Sequence, residues 1–559
     1  MKTIPRPLPP VLLAAAALSA ALAACGVPAD ESAGAANPGG GDPYAPANTA
    51  ADAGAGESED TWFDDSSYGA GGSSAAGTGG NGLPQESVPP DHSGEQYEDA
   101  GANPFVETAQ DRFATFAIDV DTASYALMRR DVTGGVLPVP AGVRVEEYVN
   151  YFRYDDAAPP ANDPFPFAIH LDARPSPFGA GLELLRVNLT GREVDRAALK
   201  PANLIFLVDV SGSMQSPDKL GLVQYTLGVL TEQLRPSDTI GIVTYAGEVR
   251  VALPPTAVEQ KAQILAAIDG LSSGGSTYGE GGIRLAYDEA AAAFRHEGIN
   301  RVVLCTDGDF NVGLTGDALI DVIETERDRG ITLSAIGFGT GNYNDATMEQ
   351  LADHGNGNYA YVDTVREADR LVKRDLSGTL QVIAKDVKIQ VELNPEVVAE
   401  YRLVGYENRA VADQDFANDA VDGGEIGAGH QVTAFIELRL AEGARNAEAG
   451  PAAGGLATVR VRTKDPDGIQ SRETAAEFAL TDIPESFEGA SADLRFGAAV
   501  AETAEILRGS PHVDPAPHLD AVLEMARGAA GDAPERLEFV SLLERVVALT
   551  QGASAGAGE

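Results

Sequence analysis

The 559-residue chain is poor in cysteine, in positive charge and in long apolar runs. It holds 2 cysteines, which excludes a disulfide framework. Its 40 Lys and Arg face 84 Asp and Glu, for a net charge of -44. Such a surface lacks the basic face that nucleic acid needs. It also disfavours simple electrostatic docking on anionic lipid. The apolar run VLLAAAALSAALAAC is too short and too Ala-rich to span a bilayer. The sequence contains no H-E-x-x-H, no P-loop and no dinucleotide fingerprint. No nucleophile or acid–base pair stands in a suitable context, so an enzyme is not expected.

What is present begins with a processing signal. Lys2 and Arg6 precede the apolar run, which ends in LAAC, Leu22 to Cys25. This end resembles the bacterial lipobox, whose cysteine is lipidated and becomes the mature N-terminus. The resemblance implies a signal peptide over 1–24, acyl chains on Cys25 and anchorage at the cell envelope. Gly26 follows the cysteine. By resemblance to enterobacterial sorting, this is not the Asp that retains lipoproteins on the inner membrane, which implies the outer membrane in a Gram-negative cell. With Cys25 acylated, Cys305 has no intrachain partner, and its apolar setting in RVVLCTDG predicts a buried, inert thiol.

From residue 25 to 100 the chain is Gly, Ala, Ser, Pro and acid, with no Lys or Arg between Cys25 and Arg112. It cannot bury enough apolar area to offset its ordering entropy, so it reads as a disordered acidic leash. Trp62 and Phe63 are its candidate docking motif. An N-terminal region over 101–165 follows, with FATFAIDV as a strand and TASYALMRR and RVEEYVNYF as helices. Residues 166–199 and 384–482 read as antiparallel strands of one β-sandwich. Between them, over 200–383, apolar strands alternate with amphipathic helices. That rhythm implies an α/β domain with a doubly wound, mostly parallel sheet. Its last helix is read as running from Arg366 to Ile383. Helical patterns close the chain over 483–559.

The chemistry concentrates in LVDVSGSM. Asp209, Ser211 and Ser213 stand two apart just past an apolar strand. Asp307 follows another strand, and the glycine-rich loop SSGGSTYGEGG carries Thr277. In open α/β sheets, ligands bind beyond the carboxyl ends of the strands, so these oxygens are candidates for one metal site. DVSGSM, GGST and TDG resemble the von Willebrand factor type A domain with its metal-ion-dependent adhesion site. The resemblance implies metal ligation by Asp209, Ser211, Ser213, Thr277 and Asp307. In that family the hydroxyls bind the ion directly and the acids act largely through water. Oxygen donors suit Mg²⁺, with Mn²⁺ or Ca²⁺ as substitutes. A Glu or Asp carboxylate from a protein partner would complete the sphere. Tyr278 and Glu280 could shape the ligand surface, or could equally be exposed loop residues. The blocks NPFVETAQDRFATFAIDVDTASY and EYRLVGYENRAV…GEIGAGHQVTAFIEL look like the flanks of a bacterial lipoprotein family with a central domain of this type.

Several lesser patterns have ordinary structural readings. GLSSG, around Ser272, matches G-x-S-x-G but lacks the strand-to-helix turn of a nucleophile elbow. DGDFNVG lacks the Gly and Glu of a calcium loop at Val312 and Ala318, so Asp309 and Asn311 read as a turn. Asp119 and Asp121 precede a helix, and Asp121 or Thr122 is read as its cap. His430 reads as a structural histidine at a strand start.

Overall fold

The computed structural model describes residues 92–276, 279–308, 316–341, 343–376, 381–446, 455–513 and 515–556. The signal peptide, Cys25 and the leash as far as residue 91, with Trp62 and Phe63, lie outside the described residues. So do Thr277, Tyr278, Asp309 and Asn311. The end of the expected leash, 92–100, is ordered instead: the Gln96 N–H donates to Tyr343 O at 2.8 Å, and Glu95 accepts Arg130 through two bonds of 2.9 Å.

The α/β domain is built on a six-stranded sheet. Across the sheet the strands are Tyr359–Val362, Thr332–Phe338, Ile299–Thr306, Ala202–Asp209, Thr239–Tyr245 and Val249–Ala257. All neighbours are parallel except the last pair, which forms an antiparallel hairpin. Every residue of Ala202–Asp209 is buried. Strand periodicity sends Leu204, Phe206 and Val208 into one apolar core and Ile205 and Leu207 into the other. This explains the unbroken apolar run LIFLV: a strand covered by helices on both faces has no solvent side.

Two antiparallel sheets form the sandwich. One contains Phe167–Pro175, Glu183–Gly191, Gln431–Leu440 and Val398–Val404. The other contains Phe113–Ala117, Val382–Leu393, Gly455–Lys464 and Ser471–Ala479. Their inner faces share one core that includes Leu185, Val187, Ile436, Ile389, Val391 and Val459. The α/β domain is inserted between Glu183–Gly191 and Val382–Leu393. Its entry and exit are adjacent, since the Lys200 backbone N–H donates to Gln381 Oε1 at 3.0 Å.

The structure departs from the sequence reading in two further places. The last helix of the domain runs Val365–Arg370 and continues as a π-helical turn, Leu371–Leu376. It does not reach Ile383, because Val382–Leu393 is a strand with partners on both sides. Thr122 stands at the N-cap of Ala123–Thr133 but makes no side-chain cap bond. Asp121 is no cap either: its Oδ1 accepts the Tyr359 N–H at 2.8 Å, and its Oδ2 faces Arg409 at 3.3 Å.

The helices Ala492–Leu507, Pro515–Ala529 and Pro534–Gly556 close the chain. They pack on the N-terminal helices through Tyr125, Tyr148, Tyr151, Phe152, Phe496 and Phe539. Tyr125 and Tyr151 stack at 4.0 Å, and Phe152 meets Phe496 edge-on at 4.9 Å. Among the described residues no helix is long and apolar enough to cross a membrane.

Candidate functional site

Asp209 ends the strand Ala202–Asp209, and Thr306 ends its parallel neighbour Ile299–Thr306, with Asp307 next in chain. Val208 pairs with Cys305, so both acids leave the sheet at the same rim. The chain departs from the central strand in opposite directions across the sheet, which makes this rim the topological switch point. The glycine loop joins it through backbone bonds: Gly274 N–H to Val210 O at 2.7 Å and Gly212 N–H to Gly275 O at 3.0 Å. Gly275 has φ +88, and a Cβ there would lie 3.2 Å from Gly247 N. Only glycine brings this loop so close in that conformation.

Four of the five motif residues therefore gather at one rim. Thr277 follows the Gly275 contact in chain but lies outside the described residues, as does Tyr278. Glu280 is on the first turn of Gly279–Ala292, with its side chain outside the description. Ser211 Oγ and Ser213 Oγ are 2.9 Å apart. Asp209 is fully buried; its Oδ1 accepts the Ser211 N–H at 2.8 Å, and its Oδ2 accepts the Thr306 hydroxyl at 3.1 Å. Burial pushes the Asp209 carboxyl up to about 6; the Ser211 and Thr306 bonds oppose the rise, and the Asp307 charge adds to it. Asp307 is 3% exposed and accepts the Lys219 ammonium at 2.9 Å through Oδ2.

The donor chemistry fits a hard divalent cation: two carboxylates, one of them fully buried, stand with two hydroxyls at the mouth of the sheet. Among the described residues no three His, Cys, Asp or Glu side chains could hold a metal by themselves. The two hydroxyls would add their oxygens to those of the two carboxylates. Asp209, Ser211, Ser213 and Asp307 would hold it, and it would supply an electrophilic centre for an incoming carboxylate.

Two contributors were not picked out from sequence. Thr306 orients Asp209, and its only signal was its position before Asp307 in TDG. Lys219 lies in the turn Pro217–Gly221 that leads into the helix Leu222–Gln233. Nothing local marks it as aimed back at the rim. Ser272 is exposed in coil after the helix Lys261–Asp269, with no strand before it. Cys305 is buried, and burial raises its thiol far above the usual range. His430 is buried just ahead of the strand Gln431–Leu440.

Comparison with known proteins gives this geometry a family. Residues 203–374 match the von Willebrand factor type A domain, residues 91–186 match a family described as von Willebrand factor, and residues 378–549 match "Uncharacterized protein YfbK, C-terminal". The "Uncharacterized protein YfbK" of Escherichia coli (strain K12) is 41% identical over 475 residues, covering 80% of this chain and 80% of that one. The chain belongs to the YfbK family. The YfbK resemblance spans the flanks as well as the α/β domain. Matrilin-1 of Bos taurus is 31% identical over 190 residues, covering 31% of this chain and 33% of its own. Among solved structures, "von Willebrand factor type A from Catenulispora acidiphila" is similar at 16% identity and a TM-score of 0.40, covering 67% of this chain and 89% of that chain.

Proposed function

We propose that this YfbK-family chain is an envelope-anchored lipoprotein that recognises a protein partner through a divalent metal ion. The observation that carries the reading is the convergence of Asp209, Ser211, Ser213 and Asp307 at the switch point of the sheet. Mg²⁺ suits this oxygen set, with Mn²⁺ or Ca²⁺ as alternatives. Neutral hydroxyls leave the ion electrophilic enough to accept a Glu or Asp carboxylate from the partner. Thr277 completes the set by family resemblance, and Cys25 carries the acyl anchor, in a Gram-negative cell at the outer membrane. No reacting group is required of the chain.

The test uses the full-length protein, wild type and Asp209→Ala, immobilised in Mg²⁺ or in EDTA and exposed to the organism's envelope extract. A protein retained only by wild type in Mg²⁺ supports the reading and names the partner. Identical captures in all arms, with Mg²⁺ binding verified by calorimetry, would overturn it.

One observation favours a second reading, a scaffold whose metal only stabilises the rim. Asp307 already has a cation in Lys219. Under that reading, EDTA lowers Tm and changes no capture.

A further inference from the structure

Lys219 is the least expected group at the rim. Its ammonium lies 2.9 Å from Asp307 Oδ2, and the two side chains are only 12% and 3% exposed. The fold makes room for it. Gly339, at φ +73, lies against the aliphatic stem; a Cβ there would fall 2.2 to 2.9 Å from Lys219 Cγ, Cδ and Cε. A side chain at that position would push the lysine stem aside. The loop is fixed in turn, because the Tyr361 hydroxyl donates to Gly339 O. Tyr361 lies under the Arg130 guanidinium, 5.6 Å from the ring centroid. Arg130 is held by Glu95 through two bonds of 2.9 Å. The path of the lysine is thus walled by the domain and backed by the N-terminal flank.

We propose that Lys219 is a resident counter-cation of Asp307 that a divalent metal must displace. The inference rests on the metal-binding reading above. A metal held at this rim and the ammonium would compete for one buried carboxylate and repel each other at short range. In a partly buried setting that repulsion is poorly screened. A lysine can yield, since its charge is compact, strongly hydrated and carried on a flexible stem. Metal binding is then an exchange of cations: the ion enters as the ammonium swings to water. The ammonium compensates the Asp307 charge until metal arrives, and the affinity for metal is lower than the oxygen donors alone would give. The stem also leaves Gly339, so the exchange reaches the loop that follows the strand Thr332–Phe338.

The experiment is calorimetric titration of the full-length protein with Mn²⁺, comparing wild type, Lys219→Met, Lys219→Arg and Asp209→Ala. The expected result is Lys219→Met binding about tenfold tighter or more, the size of one charge pair in such a site. Lys219→Arg stays near wild type, and Asp209→Ala loses binding. If wild type binds and Lys219→Met binds equally or more weakly, the exchange is overturned and the metal site survives. If no protein binds Mn²⁺, the metal reading falls and takes the exchange with it. A second measurement keeps Lys219 in place and so guards against a misfolded Lys219 variant: amine acylation of Lys219, followed by mass spectrometry. Saturating Mn²⁺ should raise its rate severalfold in wild type and leave it unchanged in Asp209→Ala. An unchanged rate in metal-saturated wild type also overturns the proposal.

Discussion

Buried carboxylates outnumber their cations in several places, and each such place ties stability to pH. Glu502 lies beside Glu437 and Glu505. Burial, then those two charges, pushes it up to about 8, with Arg402 opposing. Glu146 rises to about 7 through burial, then Glu407 and Asp119; Glu425 rises to about 7 through burial, then Asp422. A folded-state pKa above the ordinary 4.5 means the folded chain holds more protons than the unfolded chain between those values. This stability is full below about 4.5 and is lost as pH rises toward about 8. Tm should therefore fall as pH is raised from about 5 to about 8.5, measured by calorimetry. Glu502→Gln should flatten that slope, gaining about 2–4 °C at the alkaline end and little near pH 4; an unchanged slope would remove Glu502 as a source. At this scale the sequence was informative where a motif fixes position, as for Asp209, Ser211 and Ser213. It was silent on Glu502, Thr306 and Lys219, because their neighbours arrive from distant segments.

Glycine conformations set the elements around the rim. Gly308 has φ +85, and a Cβ there would lie 2.7 Å from Asn344 N. Gly308→Ala should cost about 1–3 kcal/mol in denaturant unfolding. It should also weaken Mn²⁺ binding, because the strain falls next to Asp307. Equal stability and affinity would show that the turn relaxes freely. In the strand Ala202–Asp209, Leu207 is fully buried, so Leu207→Ala should cost about 2–5 kcal/mol. This strand was legible because both of its faces are apolar. The end of the helix after Val365 was not. LVKRDLSGTLQVI fits a helical or an extended continuation, and local pattern cannot choose between them. The choice is made by Val382–Leu393 pairing with both Phe113–Ala117 and Gly455–Lys464. The missing cap at Thr122 has the same origin: its hydroxyl accepts from the distant Arg370 at 3.2 Å, and Asp121 accepts the Tyr359 N–H.

Across the whole molecule, single guanidinium groups tie regions far apart in sequence. Arg129 donates to Asp363 at 2.9 Å, to the Tyr151 hydroxyl at 2.7 Å, to Glu367 at 2.9 Å and to Glu538 at 3.4 Å. It joins the N-terminal flank, the α/β domain and the last helix. Arg129→Met should cost about 3–5 kcal/mol by stranding buried carboxylates. It should also broaden the calorimetric transition or divide it, as these regions lose their common tie; a sharp transition at unchanged Tm would contradict this. The insertion geometry has a mechanical consequence. The α/β domain hangs from two adjoining connections, one to Glu183–Gly191 and one to Val382–Leu393, and each is an inner strand of a different sheet. A tug applied at the rim would be divided between both halves of the sandwich. It would strain their shared apolar seam before it could peel any single edge strand.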